Sequence, residues 1–330
     1  MKLSHVSGQR KARWHLVILA ALSLAIIVAR LHTYNEPRSC DITFFAVVGH
    51  ALLEGHSLYS EFWDHKPPAP YLTYAAAELI AGYGLFQVYL LGVAAALVGL
   101  FGTYKATYWL TGQRQAALWA AAFWALTSSS LQFAANEPNC EVFMNACFIW
   151  AFALLARGGK QDLRASHSIC IGALLALATL YKPFCIVNAI CYAVVHIAFP
   201  RKGDYRRAVR DVFLWAVTGA LVWTGVAGYF ALTDRWSIFY ATIVTFNRFY
   251  TRRPVLHLAN ATPYFVDPIL TNLGHYASLL GLIVLGSVAA AGKIQKRIKW
   301  LLLATAIAAY ANVALPGRWF QHYFQLWLPL

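Results

Sequence analysis

Long uncharged apolar runs set the first limit on what this chain can fold into. The stretch Trp14 to Ala29 carries no Asp, Glu, Lys or Arg, and apolar stretches, charged only at Glu141 and Asp211 where two of them open, recur at about 85–104, 116–134, 141–156, 168–181, 183–199, 211–232, 268–291 and 300–315. A further run opens near Phe324 and reaches the last residue, Leu330. A helix crosses the hydrocarbon layer with about 20 apolar residues, whereas a barrel strand needs only about 10. In lipid every backbone N–H and C=O must be paired within the spanning structure, so runs of this length imply helices. The expectation is an all-α polytopic membrane protein, with nine spans and a partial tenth, forming one membrane domain over residues 1–330. A composition of 60% hydrophobic and 12% charged residues excludes a water-soluble enzyme.

The net charge of +14 then needs a physical home. No basic block sits on a soluble module, so nucleic acid is not expected as a partner. The basic start MKLSHVSGQRKARW runs into the first apolar stretch, and Arg30-Leu31-His32 follows it where a signal peptide would show small residues. The first span therefore reads as uncleaved. With a cytoplasmic N-terminus, alternate loops collect Lys2, Arg10, Lys11 and Arg13, then Lys105 and Arg114, then Arg157, Lys160 and Arg164. Five bases between Arg201 and Arg210 and four between Lys293 and Lys299 complete eighteen of the 27 Lys and Arg. That is the positive-inside pattern. The opposite side receives ten of the 13 acids: Glu36, Asp41, Glu54, Glu61, Asp64, Glu78, Glu137, Glu141, Asp234 and Asp267. The alternation holds only if residues 69–83, with Glu78 among them, form an interfacial or re-entrant helix.

Two outer segments, 32–84 and 233–267, are too long to be simple connectors, and long structured loops tend to carry function. In the first, apolar residues at 44, 45, 47, 48, 52 and 53 predict an amphipathic surface helix with Asp41 at its N-terminal end and Gly55 as its stop. Pro67 and Pro68 forbid a helix through the turn Asp64-His65-Lys66 and permit one just after it. Asp41 reads either as a helix cap or as a reactive carboxylate. The turn reads either as a solvated anchor or as part of a site. Glu137 and Glu141 precede an apolar run; they suit the helix dipole, and carboxylates at membrane depth also default to a functional role. Lys182, opposite to the positive-inside trend, reads as a snorkelling lysine or an anion ligand. Arg235, Arg248, Arg252 and Arg253, then Arg318, His322 and Tyr323, add a cationic rim suited to a phosphate-bearing lipid.

The order of an early outer Asp41, the DHKPP turn, the acidic cluster before a membrane helix, the outer Lys182-Pro183 and the late GRWFQHYF resembles the GT-C glycosyltransferases. Within them it is most similar to the branch of protein O-mannosyltransferases and lipid A aminoarabinose transferases. The resemblance implies transfer from a polyprenyl-phosphate sugar on the non-cytoplasmic face of the plasma (inner) membrane. It implies Asp41 as catalytic carboxylate, with Glu141, or less well Glu137, as the second acidic position. Lys66 would be the lysine of the turn, flanked by Asp64 and His65, and Arg318, His322 and Tyr323 would lie near the carrier phosphate. Protein mannosyltransferases carry Asp-Glu where this chain has Asp41-Ile42, which favours a lipid or glycan acceptor over a protein. Family members usually continue further, so an end at Trp327-Leu328-Pro329-Leu330 reads as a chain that stops early.

A phosphate leaving group needs positive charge more than it needs a proton, so no cofactor is expected to be required; a divalent cation stays open, although His50, His56 and His65 match no established ligand spacing. Cys40 and Cys140 each precede a candidate carboxylate on the outer side, and a disulfide between them is a further expectation. The competing readings are a transporter or flippase of a polyprenyl-linked substrate, which the lack of an internal repeat disfavours, and an inactive truncated homologue.

Overall fold

The computed structural model describes residues 3–36, 38–131, 134–250, 295–316 and 320–329, with side chains from Trp14 onward. The helices run α1 (Leu3–Ala29), α2 (Cys40–Leu53), α3 (Ala69–Ala81), α4 (Leu85–Thr111), α5 (Arg114–Thr127), α6 (Cys140–Lys160), α7 (Ala165–Tyr181), α8 (Ile186–Ala198) and α9 (Tyr205–Leu232). The short α10 (Trp236–Tyr240) continues through a π-helical stretch, Ala241–Phe246, into α11 (Asn247–Tyr250), and α12 is Lys296–Ala314. This is an all-α polytopic membrane protein. Four described segments, Trp14–Tyr34, Leu85–Thr111, Cys140–Lys160 and Tyr205–Leu232, are long and apolar enough to cross a bilayer. The expected run at 268–291 lies outside the described residues.

Helix α4 is central, packing on α1, α5 and α6. Its glycines make this possible: a Cβ at Gly99 would lie 2.2 Å from the Trp124 ring of α5, and one at Gly102 would lie 2.6 Å from Ile149 of α6. Lipid supplies no hydrophobic drive between helices, so small residues that bring backbones close hold such contacts by dispersion. The helix ends where Gly112 adopts φ +76° and its N–H returns to the Tyr108 carbonyl, 2.8 Å away.

In the first long loop, α2 buries Ile42, Phe45, Val48 and Ala51 and leaves Val47 and Leu53 exposed. It crosses α3 at Gly49, where a Cβ would meet the Ala75 nitrogen at 2.9 Å. Phe45 packs edge-on against Tyr71 of α3, with ring centroids 5.8 Å apart. Gly55, at φ +94°, follows the end of α2 as expected, and α3 begins directly after Pro68. Residues 69–81 thus form a short helix packed on α2 and α4.

Two expected runs end differently. The run 116–134 stops at Thr127, because Ser128-Ser129-Ser130 favours backbone-capping geometry over helix; the carbonyls of Ser128, Ala135 and Asn136 then meet Arg30 at the end of α1. The stretch opening near Phe324 is a 3₁₀ segment, Gln321–Trp327, with Tyr323, Phe324, Gln325 and Leu326 buried. The expected Cys40–Cys140 disulfide is absent: both are free thiols, Cys40 exposed and Cys140 fully buried in the first turn of α6.

Candidate active site

One end of the bundle gathers the start of α2, the turn before α3, the start of α6, the α7–α8 corner, α11 and the 3₁₀ segment. Between them lies a cavity of about 100 Å³ bordered by Asp41, Lys66, Lys182, His322, Tyr323 and Tyr250, among others.

Asp41 sits in the first turn of α2, but the cap position belongs to Ser39, so the capping reading of Asp41 fails. Its side chain remains 38% exposed, and Lys66 Nζ lies 3.4 Å from Oδ1. Lys66 is itself buried; its Nζ is 3.2 Å from Asp64 Oδ2 and 5.0 Å over the Phe45 ring. Burial opposes its charge, yet the carboxylates of Asp64 and Asp41 hold the ammonium above its ordinary pKa. The turn is fixed by its own hydrogen bonds. Tyr59 Oη donates to the Lys66 carbonyl at 2.8 Å, and Asp64 accepts from Tyr71 Oη and from the His65 N–H, each at 2.7 Å. Burial would raise the Asp64 pKa, but His65, Lys66 and Tyr71 outweigh it and hold the carboxyl well below the usual carboxylate range. Asp64 is therefore an orienting anion for Lys66.

The second lysine enters from the α7–α8 corner, where Pro183 stops the helix at Tyr181. Lys182 pairs with Glu141 and lies 4.0 Å over the Tyr323 ring. Glu141 is completely buried and does not border the cavity; its carboxylate faces the cavity through Lys182 alone. Burial opposes the Lys182 charge, and the Glu141 carboxylate overrides it and raises the pKa. Asn139 caps α6 by accepting from the Cys140 N–H at 2.8 Å, which leaves Glu141 in the first turn where the helix dipole favours a carboxylate.

His322 reaches the cavity from the 3₁₀ segment, with its pKa lowered by burial and by Lys182 and Lys66 against the pull of Glu141 and Asp41. Tyr323 is buried, and its phenol is pushed up to about 12. His65 lies on the cavity, and its carbonyl accepts from Asn247 Nδ2 at 2.8 Å, tying α11 to the turn. Arg248, on the same short helix, is exposed, while its neighbours Asn247 and Tyr250 border the cavity. Arg252, Arg253 and Arg318 lie outside the described residues. Glu137 is set apart from the cavity beside Glu36 and Arg38, its pKa raised by burial and by the nearby Glu36 and Asp41.

Sequence reasoning named both lysines, Asp41 and His322, and it missed the wall. Tyr181, Asn247, Tyr250 and Phe320 border the cavity from three separate elements. Tyr250 and Asn247 stood beside the singled-out Arg248 in FNRFY, but nothing in that string shows which of them turns inward. Chemically, the described lining of the cavity offers two ammonium groups, one accessible carboxylate, the two imidazoles of His65 and His322, and aromatic faces, which suits a sugar joined to an anionic leaving group.

Residues 64–230 match the family of dolichyl-phosphate-mannose-protein mannosyltransferases. Among the curated proteins no match is found. Among solved structures, the chain is similar to the oligosaccharyltransferase AglB from Archaeoglobus fulgidus in complex with an inhibitory peptide and a dolichol-phosphate. The TM-score is 0.56 at 13% identity, covering 97% of this chain and 50% of that one. It is also similar to an A. fulgidus oligosaccharyltransferase tethered to an acceptor peptide containing the NVT sequon, with TM-score 0.57 at 12% identity, covering 96% of this chain and 49% of that one. The chain thus spans about half the length of these structures, and at such identity the likeness concerns the fold.

Proposed function

The chain belongs to the dolichyl-phosphate-mannose-protein mannosyltransferase family, a membrane enzyme of the GT-C glycosyltransferase type, and from that premise we propose that it moves a sugar from a polyprenyl-phosphate carrier to a lipid or glycan hydroxyl on the non-cytoplasmic face. The observation that carries this reading is the convergence, on one cavity, of Lys66, Lys182 and a single accessible carboxylate, Asp41.

The chemistry is a single displacement. The acceptor oxygen forms a bond to the anomeric carbon as the bond from that carbon to the phosphate oxygen breaks, and the bonding pair leaves with the phosphate. Asp41 takes the acceptor proton; it is the exposed partner of Lys66, so an acceptor can reach it. The phosphate leaves as an anion, and Lys66 and Lys182 offer preorganised charge where negative charge develops. Each ammonium is already ordered by a carboxylate, Asp64 or Glu141, so little reorganisation is needed as the bond breaks. Glu141 acts in this reading through Lys182. Asp64 acts through Lys66, and the faces of Tyr250 and Tyr323 flank the sugar. The outer location rests on the charge asymmetry of the loops and on Asp41, Lys66 and Lys182 sharing one end of the bundle. Arg248, Arg252, Arg253 and Arg318 complete the proposed rim around the phosphate, and Asp41-Ile42 favours a lipid or glycan acceptor.

Purified protein in lipid nanodiscs, given a polyprenyl-phosphate sugar and an acceptor extract, tests the proposal. Asp41→Asn removes the base without removing volume and is expected to lower kcat by about 10²–10⁴-fold, with binding of the polyprenyl phosphate retained. Full activity in that variant would show that the base lies elsewhere. Movement of the carrier across the bilayer without sugar transfer would replace the transferase reading with a flippase.

A further inference from the structure

Arg30, at the end of α1, is the largest fully buried polar side chain, 1% exposed, and no carboxylate pairs with it among the described residues. A charge in such a place is costly unless its protons are met. Its two terminal nitrogens are met by three backbone carbonyls, while Nε is buried without a partner among the described residues: Nη1 donates to Asn136 at 2.9 Å, and Nη2 to Ser128 at 2.5 Å and Ala135 at 3.0 Å. A glycine of α4 makes room for it, since a Cβ at Gly92 would lie 2.9 Å from Nη1. In sequence Arg30 was only the residue ending an apolar run.

The segment so held, 134–139, leads to both walls of the phosphate end of the cavity. Forward along the chain it runs into Asn139, which caps α6 and sets the first turn that carries Glu141 and, through it, Lys182. Sideways, the Ala134 carbonyl accepts from Gln325 Nε2 at 2.8 Å, and the Gln325 carbonyl accepts from Asn145 Nδ2 at 2.8 Å. Gln325 belongs to the 3₁₀ segment that presents His322 and Tyr323. Ala134, at φ +48°, is in the left-handed region that an alanine rarely occupies, so the loop keeps its shape only while outside contacts impose it. A planar fork of donors can satisfy three carbonyls at once; an ammonium has the same charge without that geometry.

We propose that Arg30 is a positioning residue for the carrier phosphate: by clamping the carbonyls of 128, 135 and 136 it fixes the loop that holds Glu141–Lys182 and His322–Tyr323 in register. The proposal rests on the transferase reading for its purpose and not for its test. The test compares Arg30→Lys and Gly92→Ala with the wild-type chain in nanodiscs. Three quantities are read: the Kd for a polyprenyl phosphate bearing no sugar, the unfolding midpoint, and maleimide labelling of each cysteine by peptide mapping.

Both variants are expected to raise the Kd about tenfold or more and to expose Cys140, in the first turn of α6, while Cys147 further along the same helix stays protected and the midpoint shifts little. Arg30→Lys keeps the charge, so this outcome assigns the effect to the fork. Wild-type Kd with Cys140 still protected in both variants would overturn the proposal. So would deprotection of Cys140 and Cys147 together with a large fall in midpoint, the mark of a general fold defect. Because neither readout needs sugar transfer, a chain that binds the phosphate but transfers nothing would sink the proposed reaction and leave the role of Arg30 to be decided by the same numbers.

Discussion

Replacing Glu141 by Gln is the sharpest probe of the site's electrostatics. Glu141 is 0% and Lys182 7% exposed, so the pair lies beyond the reach of water that would re-solvate a lone charge. Removing one partner of a buried pair costs about 3–5 kcal/mol, because the other charge stays buried and uncompensated. The pH dependence separates this cause from simple loss of packing. In the wild-type chain the Lys182 pKa is raised, so its contribution is complete below the ordinary lysine value of about 10.4 and is lost only as pH rises through the higher folded value. Between pH 6 and 9 that contribution is flat. In the variant the Glu141 attraction is gone, and with Tyr323 and Cys140 uncharged across this range burial prevails, so the folded pKa falls below the unfolded one. The unfolded chain then binds more protons, and stability rises with pH by up to about 1.4 kcal/mol per unit. The gap between the two proteins should therefore be widest at pH 6 and narrow toward pH 9. Equilibrium unfolding in mixed micelles at several pH values measures it. The double variant Glu141→Leu/Lys182→Met should recover most of the stability, since an apolar pair replaces an ionic one at little cost, while losing affinity for the carrier phosphate. A gap below about 1 kcal/mol at pH 7, or one that ignores pH, would refute the buried-pair reasoning.

Other consequences are testable separately. His322 has a lowered pKa, so the neutral form is the folded one near pH 7; its stabilising share is complete above the ordinary histidine value of about 6.5 and is lost as pH falls from there through the folded pKa. His322→Gln should remove an acid-side inflection from a pH profile of polyprenyl phosphate binding, and an unchanged profile would count against a titrating His322 in the cavity. Gly49→Ala should destabilise by about 1–3 kcal/mol, because its Cβ would press on the Ala75 backbone and part α2 from α3; an unchanged unfolding midpoint would show that the crossing is loose. Cys40 is exposed at the site end of the bundle, so an impermeant maleimide added to intact cells should label it and leave buried Cys140 untouched. Labelling of Cys40 only after the membrane is opened would invert the proposed orientation.

Much of the architecture was legible along the chain because lipid makes helix signals local. Apolar runs, Gly55 and the Pro67-Pro68 pair act through neighbouring residues, and helices end or begin near them. The serines at 128–130 are an equally local signal that the apolar character of 116–134 masked, and α5 stops there. The order of chemistry-bearing residues was also readable as a resemblance, and the family match over 64–230 agrees with it.

What the sequence determined by itself is therefore the class of fold, the family, and the set of charged groups from which a site could be built. Only the tertiary structure decided how those groups divide the work. Asp41 and Glu141 look alike in sequence, each in a first helical turn after a cysteine, yet one is 38% exposed beside Lys66 and the other is sealed under Lys182. Arg30, ending the first apolar run, and Arg248, in the second outer segment, carry the same side chain, yet one is clamped by three carbonyls and the other is exposed. The physical reason is the same in each case. A charge's role depends on its distance from water and from its counter-charge, and both are fixed by partners far along the chain, 106 residues away from Arg30 to Asn136, that no local pattern reports.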